Sequence, residues 1–357
     1  MMVKSVPKAP EAPVTRKTST RKRFRSFRWE YWLMVLPGLV VLLINNYVPM
    51  LGIVMAFQKY QNIPKPKTGA WTWLPQYFYN IVQGFAKGNL PILSSLNDSG
   101  ELVQEKNLFG NFAYLFKSPD AWNMTRNTVL YNVVFIVLGL VVAVAFAIIL
   151  SELRNRRGSK VFQSMMFLPY FLSWVVVSYL AYGFFGPESG FINRSILEPL
   201  GLDTIQFYSE PAYWPAILIF FNLWKYTGYN CVVYLASIAG IDPELYEAAT
   251  IDGANRWHRI QHITLPQLQP LMIILTVLAI GRVFNSDFGL FYQLPRQQGA
   301  LSDTTLVIDV YVFRALQQQN NFSMAAAAGL YQSIVGFIFV LGANLFVGKL
   351  DREKAVF

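Results

Sequence analysis

His258 and His262 stand four residues apart, so on a helix they share one face. That spacing could serve a metal, but zinc needs further ligands, and neither a cysteine nor a suitably placed carboxylate accompanies the pair. A solvated or docking face is the reading they support. Lys225, Arg282 and Asp287 fall within long apolar runs. A charge at mid-span costs about 2.5–3.5 kcal/mol on insertion scales, so such a group faces a cavity or a partner. Lys225, Tyr226, Tyr229, Asn230, Arg282 and Asn285 could line a solute path. Aromatic faces and amides suit sugar rings and hydroxyls, and the two cations would attract uronic acids. The same groups could instead form a structural pair, snorkel, or face another subunit. The stretch 342–350, GANLFVGKL, comes nearest to a phosphate-cradling loop. Its glycines are one residue too far apart and it ends in leucine instead of Ser or Thr. The single cysteine, Cys231, forbids an internal disulfide and reads as a small buried hydrophobe. No nucleophile arrangement stands out. Enzyme chemistry is unsupported, and no metal is expected.

The elements that would position these groups are membrane helices. The chain has 357 residues, 54% hydrophobic and 14% charged, where a soluble domain has about 25% charged residues. It also has 28 Phe, 19 Tyr and 9 Trp. The net charge of +10 would suit nucleic acid in a soluble chain. Here much of the excess sits in one tail before the first apolar run, so membrane orientation explains it better and no nucleic-acid partner is expected. Residues 1–30 read as a basic cytoplasmic arm that rests near anionic lipid headgroups and is no signal peptide. Span one is 31–58, with Pro37 and Pro49 as kink points. An extracytoplasmic loop, 59–126, includes an apparent insertion at about 68–107. Residues 127–348 hold five more spans, at 127–151, 161–187, 212–241, 267–288 and 322–348, and 349–357 form a tail. Six spans place both termini on one side. Counted over arm, loops and tail, that side carries 18 basic residues and the other 10. In the short loops the contrast is RNRRGSK against a single Arg194, which makes the termini and the 242–266 loop cytoplasmic.

That loop, DPELYEAATIDGANRWHRIQHITLP, is the one long polar island among the later spans. Asp242 can cap a helix that Pro243 opens. Asp252-Gly253 is a stop, because glycine tolerates the left-handed turn that ends helices. Residues 254–264 suit a second helix, and Leu265-Pro266 reads as a break before the next apolar run. Small side chains at Ala248, Ala249, Gly253 and Ala254 would let another surface approach closely.

The loop resembles the EAA loop of ABC importer permeases. Glu247-Ala248-Ala249, three residues, Gly253, then Ile263-Thr264-Leu265-Pro266 stand at the family's spacing. The DGAN form at 252–255, with Trp257, is most similar to the carbohydrate-uptake members. The segments 167–177 (FLPYFLSWVVV) and 325–337 (AAAAGLYQSIVGF) look like the same branch. The resemblance covers about 32–59 and 108–357, and the 68–107 stretch departs from it. It implies an all-α membrane protein of six transmembrane helices, of the type I importer kind, in the bacterial cytoplasmic membrane. It implies that Glu247, Ala248, Ala249, Asp252, Gly253, Ala254 and Pro266 form an ATPase-coupling loop. It also implies a second homologous permease, a pair of ATPase subunits carrying ATP and Mg, an extracytoplasmic solute-binding protein, and a sugar substrate, leaning to oligosaccharides or polysaccharide fragments. An ABC permease for another solute, or a secondary transporter working alone, are the alternatives, although no internal repeat of the latter class is evident.

Overall fold

The computed structural model describes residues 29–47, 50–57, 94–96, 102–104, 109–153, 155–188 and 190–350. The basic arm before residue 29, Pro49, most of the 68–107 stretch and residues 351–357 lie outside these. The chain divides into two units at residue 50. In the first, α1 (Trp29–Leu42) contains Pro37 and passes into a single π turn, Leu43–Tyr47.

Among its described residues the second unit is helical apart from a two-stranded antiparallel ribbon, β1 (Ser94–Leu96) with β2 (Leu102–Gln104). A 3₁₀ turn, Leu51–Phe57, precedes the ribbon, and α2 (Gly110–Lys117) follows it. Asn111 donates to the Ala56 carbonyl at 2.9 Å and joins that turn to α2. Next comes α3 (Pro119–Ser151), 33 residues long. It starts eight residues before the expected 127, because Ser118 accepts from Asp120 N and Pro119 fits the first helical position. After a short loop come α4 (Arg156–Phe167), α5 (Trp174–Phe185) and α6 (Trp214–Ala239). The cytoplasmic-type loop then gives α7 (Pro243–Ile251) and α8 (Arg256–Arg259). The remaining helices are α9 (Leu265–Ile280), α10 (Phe288–Gln293), α11 (Ser302–Thr305), α12 (Ile308–Gln317) and α13 (Phe322–Leu350).

Among the described residues, three helical stretches are long and apolar enough to cross a membrane: Pro119–Ser151, Arg256–Ile280 and Phe322–Gly342. A fourth is a bent pair, Arg157–Phe171 with Trp174–Phe185, at 100°. Helix α6 has the length, 26 residues, but carries Asn222, Lys225, Thr227 and Asn230. Two expected spans differ. The third, expected to run straight over 161–187, bends after Pro169, whose ring cannot sit in an unbroken ladder. The fifth, expected to reach 288, ends at Ile280; the chain turns at 281–287 before α10.

Helices α3 and α6 form the spine of this unit. Leu115, Met124 and Tyr131 of α2 and the first half of α3 pack with Trp214, Leu218 and Phe221 of the first half of α6. Ala143, Ala147 and Leu150 pack with Cys231, Tyr234 and Ile238 of the second halves. The two helices therefore run in the same direction. Side chains of α3 also hold the short helix α11 and its junction with α12. Asn127 donates to the carbonyls of Asp303 and Leu306, both at 3.0 Å, and Tyr131 to that of Thr304 at 2.9 Å. The Ile308 N–H donates to Thr128 Oγ1. Irregular backbone in an apolar surrounding needs such partners, because no water can supply them.

Candidate functional site

The hairpin is built from local signals. Asp242 accepts from Glu244 N at 3.0 Å and Pro243 opens α7. The helix ends in a left-handed residue, Gly253, at φ +78°. Ala254 N donates to Ala249 O at 2.8 Å, and Gly253 N to Thr250 O at 3.1 Å. These are the two bonds of a Schellman turn, which satisfy carbonyls left over at a helix end. Asn255 then caps α8 by accepting from His258 N at 2.9 Å. The second helix thus starts at Arg256 and not at 254, where the turn is still closing.

No break follows at Pro266. A π turn, Ile260–Thr264, carries α8 straight into α9. A π turn bonds one residue further along than an α turn, and so accommodates the proline's missing N–H and bulky ring. Two bonds clamp the hairpin's arms. Tyr246 and Thr264 share a hydroxyl bond of 3.0 Å, and Arg259 donates to Thr250 Oγ1 at 3.1 Å. Both pairs are centred on the turn at 254–255. That symmetry about a stop signal was readable in the sequence, but only with the hairpin already assumed.

With its arms capped and clamped from within, the hairpin leaves its outer face bare. Glu247, Ala248, Asp252, Gly253 and Pro266 are exposed, while Ala249 and Ala254 are half-buried in the turn. Ile251 is 86% exposed and Trp257 61%. A large apolar side chain on a polar loop marks a contact surface, and Ile251 is one the sequence reading passed over. Beneath the hairpin a cavity of about 750 Å³ is lined in part by Leu150, Glu152, Lys160, Tyr246, Glu247 and Arg259. The imidazoles of His258 and His262 stack at 5.9 Å, with Nδ1 of each turned to Asn255 Oδ1 and the His258 carbonyl respectively. Among the described residues no three His, Cys, Asp or Glu side chains cluster as a metal site would need.

The second candidate region is the bend of the α4–α5 pair. After α4 a 3₁₀ turn, Leu168–Phe171, ends at Leu172, and Ser173 caps α5 by accepting from Val176 N. Lys225 of α6 reaches into the bend and donates to the carbonyls of Pro169 (3.3 Å), Tyr170 (3.1 Å) and Leu172. Carbonyls at a helix C-terminus carry the negative end of its dipole, so a cation is favoured there. The three donors of the ammonium group match three acceptors. The ammonium also lies 5.1 Å from the Trp174 ring centroid, within cation–π range. Lys225 is buried and faces this bend.

Its neighbours face a different space. Tyr226, Tyr229 and Asn230, with Phe135, Tyr234 and Thr276, help line a cavity of about 380 Å³ between α3, α6 and α9. Lys225 is not among its lining residues, and the lining carries no charge. The Tyr229 ring stacks on Tyr170 at 4.7 Å and 11°, so the cavity wall continues onto the bend. Gly228 lies against the Met166 carbonyl so closely that a Cβ there would collide with it. Arg282 and Asn285 are exposed, beyond the C-terminal end of α9 and outside this lining. Asn285 accepts from Gln332 Nε2 at 3.0 Å, and the same amide donates to the Phe284 carbonyl and Asp309. The six path candidates thus divide into three on the cavity, one in the bend and two past the end of α9.

Residues 136–352 match the binding-protein-dependent transport system inner membrane component family. The chain belongs to that family. It is therefore an inner-membrane transport component, and the matched region holds the bend, the cavity and the hairpin. Protein LplB of Bacillus subtilis (strain 168) is 30% identical over 98% of this chain and 99% of its own length. The polygalacturonan/rhamnogalacturonan transport system permease protein YteP of the same organism is 30% identical over 90% of this chain and 88% of its own. A bacterial alginate ABC transporter, solved in complex with an alginate pentasaccharide-bound periplasmic protein, contains a chain with a TM-score of 0.72 and 29% identity. The match covers 90% of this chain and 95% of that one.

Proposed function

We infer that this permease is one membrane subunit of an ATP-driven importer of an oligosaccharide, coupled to a separate ATPase through the 242–266 hairpin. The hairpin carries the reading. It is capped and clamped internally, and it presents Glu247, Ala248, Asp252, Gly253, Ile251 and Trp257 outward from a rigid turn. Such a surface suits close contact with a partner, in which the small residues admit the partner's backbone. Nothing in the chain suggests a nucleotide site, so ATP and Mg belong on the partner. In this reading six spans place both termini and the hairpin in the cytoplasm, in line with the basic residues that flank them. A second permease completes the path, two ATPase subunits drive it, and a solute-binding protein delivers the sugar from outside; the alginate transporter's complex with a pentasaccharide-bound periplasmic protein supports that partner.

The sugar class follows from two sources. YteP and the alginate transporter handle acidic polysaccharides or their fragments by name. The 380 Å³ cavity offers aromatic faces, hydroxyls and amides, which suit sugar rings, and in this reading it is part of the solute path. The test is purification of the tagged chain from native membranes in mild detergent, with mass identification of what stays bound, followed by uptake of a panel of oligogalacturonate, oligoalginate, a neutral oligosaccharide and an amino acid. A co-purified ATPase and a second permease, with ATP-dependent sugar uptake, are expected. A chain that repeatedly purifies alone and takes up solute on an ion gradient overturns the reading. Uptake of the amino acid alone overturns the sugar assignment.

A further inference from the structure

Asp287 sits where three elements meet. Its Oδ2 accepts from Trp174 Nε1 at 2.9 Å and from the Tyr226 hydroxyl at 2.6 Å. Its Oδ1 accepts from Leu290 N at 3.2 Å and caps α10. Trp174 is the first residue of α5 past the bend, Tyr226 lines the cavity from α6, and Leu290 is in the first turn of α10.

The packing around the carboxylate leaves little slack. A Cβ on Gly289, two residues further along the chain, would collide with the Trp174 indole. On the far side of the bend, Lys225 fixes the Pro169, Tyr170 and Leu172 carbonyls. Tyr226 is therefore held at both ends. Its backbone follows the residue that grips the bend, and its hydroxyl is tied to the carboxylate that grips α5. Asp287 itself is not among the cavity-lining residues.

We propose that Asp287 is a positioning residue for transport: it binds the bend of the α4–α5 pair to Tyr226, so that the cavity wall changes shape only together with the bend. This rests on the reading that the cavity lies on the solute path. The carboxylate touches no solute. It decides the orientation of the ring that does, and it transfers to that ring any movement of α5.

The test uses the whole importer in proteoliposomes, with oligogalacturonate as the probe or whichever panel sugar the native complex carries fastest. The readout is sugar moved per ATP hydrolysed, which a general loss of folded protein does not alter. Asp287→Ala is expected to lower this ratio at least tenfold and Tyr226→Phe at least threefold. The double variant is expected to be no worse than Asp287→Ala alone, since both remove one connection. Asp287→Asn keeps an acceptor oxygen for Trp174 and Tyr226 and is expected to restore at least half of the native ratio. If Asp287→Ala fails to assemble, Tyr226→Phe and Asp287→Asn decide the matter on the same readout. Gly139→Phe tests the underlying reading separately. Gly139 lines the cavity, and a Cβ there meets nothing within 4 Å, so the ring enters open space. Blocked transport in Gly139→Phe with native ratios in the Asp287 and Tyr226 variants overturns the proposal and leaves the path in place. Native transport in Gly139→Phe removes the path, and the proposal falls with it.

Discussion

The hairpin and the bend hold irregular backbone by opposite means. In the hairpin the ties are local: caps at Asp242 and Asn255, and clamps that join residues nine and 18 apart. In the bend they come from afar. Lys225 reaches carbonyls 53, 55 and 56 residues away, and Asp287 meets an indole 113 residues away. A turn that holds itself can keep its outer face bare and its shape constant while something presses on it. A bend held by its neighbours has no shape of its own and follows them. The first arrangement suits a part that receives a push, the second a part that answers one.

Four substitutions would sharpen or break that contrast. Gly253→Asp should have the largest effect on transport. A side chain at φ +78° costs about 1–2 kcal/mol, and the turn that sets the hairpin's outer face must shift. Coupled uptake in proteoliposomes is expected to fall below a tenth of native, with membrane insertion intact. Normal uptake would mean that the hairpin's shape does not matter. Gly228→Ala should act on the bend in place of the hairpin. Its Cβ meets the Met166 carbonyl, and overpacking of this kind costs about 1–3 kcal/mol, seen as an earlier thermal unfolding of the purified importer. Lys225→Met keeps the length but removes the ammonium donor from three carbonyls of the bend, of which Pro169 keeps the Leu172 N–H, at about 1–3 kcal/mol for a buried unsatisfied group. A melting temperature equal to native would show that the bend keeps its own shape after all. Asp242→Ala should be the mildest. It removes one N-cap worth about 1 kcal/mol, and the clamps at Tyr246 and Arg259 remain. Hydrogen exchange should rise in the first turn of α7 and nowhere else.

The same contrast explains what could be read from the sequence. The helix that Pro243 opens, the glycine stop at Gly253 and the apolar runs of α3 and α13 rest on neighbours within a few residues, and each stands where the sequence puts it. The bend at Pro169 was hidden because the 161–187 stretch is uncharged throughout and reads as one span. Only the lysine 56 residues away from Pro169 shows that something there needs a cation. Lys225 drew notice as an intramembrane charge, but composition gives no direction, and its partners are backbone oxygens that every sequence has. Tyr226 and Asn230 could be placed near a cavity because their types suit a polar wall. Asp287 drew notice as a charge in an apolar run, but like Gln332 it has partners from across the fold that no local pattern gives.

The uninterrupted run from Arg256 to Ile280 has a mechanical consequence. Its 25 residues make a rod about 37 Å long, with the exposed hairpin face at one end and the cavity residues Leu275, Thr276 and Ala279 near the other. A helix barely compresses along its axis, so a displacement imposed at the hairpin has to reappear at the cavity wall. Pro270 lies inside α9, so that proline and the π turn at Ile260–Thr264 are both places where the rod can bend or twist. Both stand on the hairpin side of Leu275, and the stretch that reaches the cavity wall moves as one piece.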